Sequence, residues 1–222
     1  MKLALFDLDN TLLPLDSDHT WSEFLIKQGI VNADEFKTKN DYFFEQYKKG
    51  TLNIDEFLEF QLKPLSQHNK IQLDTWHQQF MQQLIQPAIH EAALNLVKKH
   101  RQNGETCLVI TATNRFITQP IVKQFGIEPN YLIATEPEFL NGQFTGQVAG
   151  QPCFQQGKIE CLKRWLKHNQ LNLHNCEQIT FYSDSINDLP LLKLATHPVA
   201  TNPDQQLRMI ALQKNWPILE LF

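Results

Sequence analysis

The 222-residue chain has little that would tie it to a membrane, to nucleic acid or to an oxidising compartment. It has four cysteines, Cys107, Cys153, Cys161 and Cys176, and no C-x-x-C spacing. Free, mostly buried thiols in a reducing compartment are the expectation. No apolar run approaches the length that spans a bilayer. The N-terminus has no signal-peptide pattern, because its short apolar run leads straight into acids. A net charge of −4 advertises neither nucleic acid nor an anionic membrane as a partner. Internal repeats and low-complexity tracts are absent. A cytoplasmic protein, monomeric or homodimeric, is therefore expected.

What is present begins at residues 3–6, a short apolar run that reads as a buried strand. It ends in two carboxylates, Asp7 and Asp9, with Thr11 behind them. From about 19 to 86 the pattern is helical throughout. Residues 19–28 place Trp21, Phe24 and Leu25 on one side before Gly29. Asn32 and Asn53 each precede a glutamate by three residues, as helix starts do. Pro64 is expected to end one helix, and residues 73–86 form another. The aromatic residues of this stretch read as its own core.

After that insertion, strands and helices alternate. Pro87 opens a helix over 88–101, and residues 106–110 form a strand ending at Thr111. A polar turn, 112–114, leads to a helix whose regular part starts near Thr118 because of Pro120. Residues 131–135 form a strand, and Asn141-Gly142 marks a hairpin within 139–148. A helix over 158–168, a strand over 178–182 and a weak strand at 199–200 follow. This rhythm predicts an α/β fold, a doubly wound Rossmann-like parallel sheet with helices on both faces. The domain expectation is a core of residues 1–13 and 87–222, with a helical cap of residues 14–86 over the site.

In such a sheet ligands sit at the carboxyl ends of the strands. Asp7, Asp9, Thr111, Lys158 and the stretch Asp184-Ser185-Ile186-Asn187-Asp188 all follow strand ends or open a helix, so they are expected to converge. Adjacent anions need a cation between them, and a hard one suits oxygen ligands. Asp7 and Asp184, with the backbone oxygen of Asp9, suffice to hold Mg²⁺. Asp7 is placed as a nucleophile toward phosphorus, and Asp9 as the acid and base. Thr111 can donate to a phosphate oxygen, and Lys158 can balance phosphoryl charge.

These residues resemble the four motifs of the haloacid dehalogenase superfamily. Asp7-Leu8-Asp9-Asn10-Thr11 is similar to its first motif, Thr111 to its second, Gly157-Lys158 to its third and Asp184 through Asp188 to its fourth. The early helical insertion resembles the type 1 cap. The wording of residues 182–192 resembles subfamily IB, which includes phosphoserine phosphatases and histidinol phosphatases. The resemblance implies that Thr111, Ala112, Lys158 and Asn187 contact phosphate. It implies metal ligation by Asp7, Asp9 and Asp184, with Asp188 supporting the site from behind.

One departure bears on the substrate. Phosphoserine phosphatases carry an arginine for the substrate carboxylate where this chain has residues 59–61, and residues 14–86 contain no arginine at all. An arginine fork is hard to replace with glutamine. Asp16 and Asp18 lie where a cap-facing acid could pair with a substrate ammonium, or they cap the helix after them. The expected activity is Mg²⁺-dependent hydrolysis of a small phosphomonoester through an aspartyl phosphate, with L-histidinol phosphate favoured. Phosphoserine hydrolysis is the alternative, or a phosphotransferase or phosphoacceptor role. A signalling receiver domain fits less well, since it lacks a cap and the second acid.

Overall fold

The strand β1 (Lys2–Phe6) lies inside the sheet because both of its faces are apolar. The computed structural model describes residues 1–222. The other strands are β2 (Thr106–Asn114), β3 (Leu132–Thr135), β4 (Pro137–Leu140), β5 (Gln143–Val148), β6 (Gln178–Ser183), β7 (His197–Thr201) and β8 (Ile218–Leu219). Six of them form one sheet in the order β3-β2-β1-β6-β7-β8. Every pairing in it is parallel.

Successive strand residues point to opposite faces. Leu3 and Leu5 join Leu108, Ile110 and Phe181 in one buried layer. It is covered by α8 (Gln156–His168), α9 (Leu189–Leu194) and α10 (Gln205–Lys214) through Leu162, Leu191 and Leu207. Ala4 and Phe6 join Val109 and Tyr182 in the opposite layer. There the cover comes from α1 (Ser17–Lys27), α6 (Glu91–Gln102) and α7 (Arg115–Gln124) through Phe24, Val97 and Ile121. Burial on both faces explains why the core strands read as continuous apolar runs. The doubly wound α/β expectation holds.

Between β1 and β2 the chain is helical, as expected. It forms α1, α2 (Ala33–Lys49), α3 (Ile54–Gln67) and α4 (Lys70–Phe80), which runs through a π turn (Met81–Ile85) into α5 (Gln86–Ala88). Trp21, Phe24, Phe80 and Ile85 belong to the main core layer, so the two ends of this stretch pack on the sheet. The α2–α3 pair stands further out, around Phe36, Phe43, Leu52 and Phe60. Phe154, from the loop before α8, inserts into that aromatic cluster. Strands β4 and β5 form the expected hairpin, separate from the main sheet. Asn141 and Gly142 both have positive φ, +51° and +83°, the backbone a two-residue primed turn requires.

Several element boundaries differ from expectation. Pro64 does not end α3, which continues to Gln67. A proline deletes only one helical N–H bond, and buried Leu62 and Leu65 hold the turn around it. The helix after β2 starts at Arg115, three residues before Thr118, because Asn114 caps it by accepting from Ile117 N. Pro120 lies inside that helix. Residues 112–114 are not a turn: β2 extends to Asn114. Pro87 opens no long helix, since the chain breaks at Ile89 and α6 begins at Glu91 with His90 as its cap. Asn69 and Gln72 form a reciprocal capping box that starts α4 at Lys70, ahead of the expected Leu73. The edge strand β8 had no expectation behind it.

Candidate active site

Two neighbouring parallel strands carry the acids. Asp7 N donates to Tyr182 O at 2.9 Å, which makes Asp7 the last residue tied to the β1–β6 ladder. β6 ends at Ser183, so Asp184 emerges from the same sheet edge. Thr11 locks the two loops together, accepting from Asp184 N and donating to Asp184 Oδ1, both at 3.1 Å.

Lys158 comes from the first turn of α8 and is 2% exposed. Its Nζ donates to Asp7 Oδ1 at 2.9 Å and to Asp188 Oδ2 at 2.7 Å. Ser183 Oγ also donates to Asp188 Oδ2, so Asp188 anchors the lysine from behind. The residue before Lys158 must be glycine. A Cβ on Gly157 would lie 2.3 Å from Pro152 O, closer than any real contact. Gln155 holds a positive φ of 46° at the same turn and donates through Nε2 to Asn187 Oδ1 at 3.1 Å.

Asp9 is fixed by two donors. Ser17 N reaches Asp9 Oδ1 and Thr113 Oγ1 reaches Asp9 Oδ2, both at 2.8 Å. Neither Ser17 nor Thr113 was expected at the site. Thr111 is buried and accepts from Thr113 N at 3.2 Å, which leaves its own O–H free to donate. Ala112 lies beside it on the cavity wall. Asn187 does not present a free amide. Its Nδ2 donates to Tyr47 O, in the helical insertion, at 3.0 Å.

The charges are unbalanced. Burial pushes Asp7 up to about 7 against the pull of Lys158, with added repulsion from Asp188 and Asp9. Burial, then the Asp16 charge, pushes Asp9 up to about 7 as well, a value suited to acid and base duty near neutrality. Asp184 is raised by burial and then by Asp7 and Asp188. Burial works against the charge on Lys158, but Asp188 and Asp7 outweigh it and keep the amine protonated. One cation, paired with Asp7 and Asp188, thus stands against four buried carboxylates, Asp7, Asp9, Asp184 and Asp188. No three acidic, histidine or cysteine side chains converge as a ready-made metal cage. A hard divalent cation still fits the donor chemistry: two carboxylates, Asp7 and Asp184, with the Asp9 carbonyl, and water in the remaining positions.

Asp184 lines a separate cleft beside Asn10 and Ser185, whereas Asp7 and Asp9 open onto a partly open cavity of about 40 Å³ between the sheet edge and the helical insertion. Its far wall is aromatic, with Phe43, Phe44, Tyr47, Phe57 and Phe154. Asp16 and Asp18 line it too. Asp16 is also the N-cap of α1, accepting from His19 N at 2.8 Å. Asp18 Oδ1 accepts a long hydrogen bond of 3.4 Å from Asn114 Nδ2. Burial raises the pKa of both acids. Gln61 is buried and committed, accepting from Ser22 Oγ at 3.0 Å and donating to Asp18 O at 3.4 Å.

Comparison with known proteins gives concordant findings. A family model for haloacid dehalogenase-like hydrolases matches residues 4–193. The chain is 44% identical over 219 residues to a protein named histidinol-phosphatase from Neisseria meningitidis serogroup C (strain 8013), covering 98% of each. Its fold matches a crystal structure of a protein of unknown function from Bordetella pertussis Tohama I, with a TM-score of 0.93 and 42% identity, covering 100% of this chain and 99% of that one. A phospho-aspartyl intermediate analogue of phosphoserine phosphatase shares the fold at a TM-score of 0.66 and 20% identity, covering 100% and 93%.

Proposed function

Because the chain belongs to the haloacid dehalogenase-like hydrolase family, we propose that it is a Mg²⁺-dependent phosphomonoesterase working through an aspartyl phosphate on Asp7. The observation that carries this reading is the pairing of Asp7 with Lys158 two residues before an independently anchored Asp9.

In this reading Lys158 grips Asp7 Oδ1 and leaves Oδ2 for in-line attack on phosphorus. The ester P–O bond breaks as the Asp7–phosphorus bond forms. Asp9, held by Ser17 and Thr113, protonates the departing alkoxide. The Asp9 carboxylate then takes a proton from water, whose oxygen attacks the same phosphorus and frees Asp7 and inorganic phosphate. Thr111 donates to a phosphoryl oxygen and the Ala112 backbone adds to the cradle, while Asn187, its amide committed to Tyr47 O and Ser185 Oγ, makes no direct contact with the phosphoryl group. Bound Mg²⁺, held by Asp7, Asp184 and the Asp9 carbonyl, would supply charge neutralisation between two anions. Residues 14–86 act as the cap that encloses the ester, over a core of 1–13 and 87–222.

The favoured substrate is L-histidinol phosphate. Asp16 and Asp18 give the cavity acids for a substrate ammonium, and Gln61, the cavity-lining member of the stretch 59–61 that the family resemblance matches to the carboxylate-binding arginine of phosphoserine phosphatases, supplies no guanidinium. The name of the Neisseria relative supports the same choice. The test is phosphate release from histidinol phosphate and phosphoserine, each with and without Mg²⁺. Metal-dependent release favouring histidinol phosphate is expected. A preference for phosphoserine would overturn the substrate, and release without Mg²⁺ would overturn the metal.

A further inference from the structure

Four buried side-chain polar atoms have no hydrogen-bond partner: Ser17 Oγ, His19 Nδ1, Trp21 Nε1 and Thr201 Oγ1. Buried polar groups are rarely left unpaired, and an exception calls for a ligand or another reason. Of the four, only His19 belongs to a residue that lines the cavity.

The ring of His19 is held from two other sides. It stacks on Phe44 with centroids 4.4 Å apart and planes 22° from parallel. Its Nε2 lies 3.6 Å from Glu23 Oε1, one helical turn on. That carboxylate favours the ring proton on Nε2, which leaves Nδ1 as an acceptor. The backbone is fixed as well, because Asn40 Nδ2 donates to His19 O at 3.1 Å. The result is a fixed acceptor without a partner, on a residue that lines the cavity and stacks on Phe44.

We propose that His19 determines specificity: its Nδ1 accepts a hydrogen bond from a ring N–H of the substrate's leaving group, seated between the cavity's aromatic side chains. This deepens the histidinol-phosphate reading and rests on it. Asp16 and Asp18 would select any ammonium, whereas His19 distinguishes a leaving group that also carries a planar N–H donor. A site built to take such a donor rejects an analogue without it, since its own acceptor is then left unpaired.

The test uses the full chain with Mg²⁺ and two esters, L-histidinol phosphate and O-phosphoethanolamine, which has the ammonium but no ring. Wild type is expected to favour the ring-bearing ester. His19→Phe keeps a ring against Phe44 and removes the acceptor. It should lower the kcat/KM ratio of the two esters about 10-fold, mainly through KM for histidinol phosphate. His19→Gln, which retains an acceptor, should recover part of that ratio. Histidinol phosphate methylated on a ring nitrogen should lose the same factor on the wild-type enzyme, a measurement independent of how any variant folds. An unchanged ratio in His19→Phe, or full activity with the methylated ester, overturns the role of His19 alone. A wild type with no preference for the ring-bearing ester overturns both His19 and the substrate reading.

Discussion

Lys158 and Asp7 are 151 residues apart in sequence, yet their side chains meet at 2.9 Å with almost no access to solvent. Removing the amine leaves Asp7 and Asp188 facing each other without their shared cation. Lys158→Ala is expected to cost about 3–5 kcal/mol of stability, the usual penalty for breaking a buried pair. It should also abolish turnover at ordinary substrate concentrations. Urea denaturation and a phosphate-release assay, run side by side, check both parts.

Asp9 sits between two donors, and its proposed work is proton transfer in both half-reactions. Asp9→Asn keeps the shape and one acceptor. Turnover should fall about 10²–10⁴-fold. Phosphoenzyme should accumulate, seen as one added phosphoryl group by mass spectrometry of acid-quenched protein. Thr113→Val removes one of the two anchors and should give a smaller loss.

Gly157 determines where Lys158 stands. Gly157→Ala places a methyl 2.3 Å from Pro152 O, a backbone atom with no side-chain freedom to escape. The start of α8 must shift. A stability loss of about 1–3 kcal/mol is expected. The activity loss should exceed what that destabilisation explains, because the lysine moves with the helix. Thermal melts and kcat, compared below the melting range, separate the two effects.

His77 makes stability depend on acid. It is buried in α4, with Nε2 2.9 Å from Ile117 O of α7, and Trp21, Phe80 and Phe116 pack around it. Burial lowers its pKa, against smaller effects from the Ile117 carbonyl and Asp74, while Lys70 adds to the lowering. The unfolded chain therefore binds the proton more readily than the folded one. This contribution to stability is present above the unfolded-state value of about 6.5 and is lost as pH falls below it. Melting temperatures measured from pH 8 down to 5 should fall, and His77→Gln should flatten part of that slope.

Much of the site was legible because strand ends are legible. Short apolar runs stopping at Asp7, Thr111 and Asp184 define one edge of a parallel sheet, and the topology brings those edges together. Lys158 followed from its place at a helix start. Thr113 was missed because residues 112–114 look like a polar turn. They belong to β2, whose register is irregular between Ile110 and Asn114, and that backbone carries the Thr113 hydroxyl to Asp9. Ser17 acts through its backbone N–H, which no side-chain pattern reveals. The Tyr47 contact with Asn187 joins segments 140 residues apart through a carbonyl and is equally silent in sequence. Boundaries at Pro64 and Pro120 went astray because buried neighbours and a side-chain cap outweighed the local cost of proline, and the one at Pro87 because the chain breaks at Ile89 and the next helix starts afresh at its His90 cap.

The decisive measurement is the location of the phosphoryl group during turnover. Protein mixed with L-histidinol phosphate and Mg²⁺, quenched in acid within the first turnovers and digested, should yield a phosphorylated peptide with the modification on Asp7. Asp7→Asn should yield none and release no phosphate. A phosphoryl group on any other residue, or normal turnover by Asp7→Asn, would contradict the assignment of Asp7 as the nucleophile.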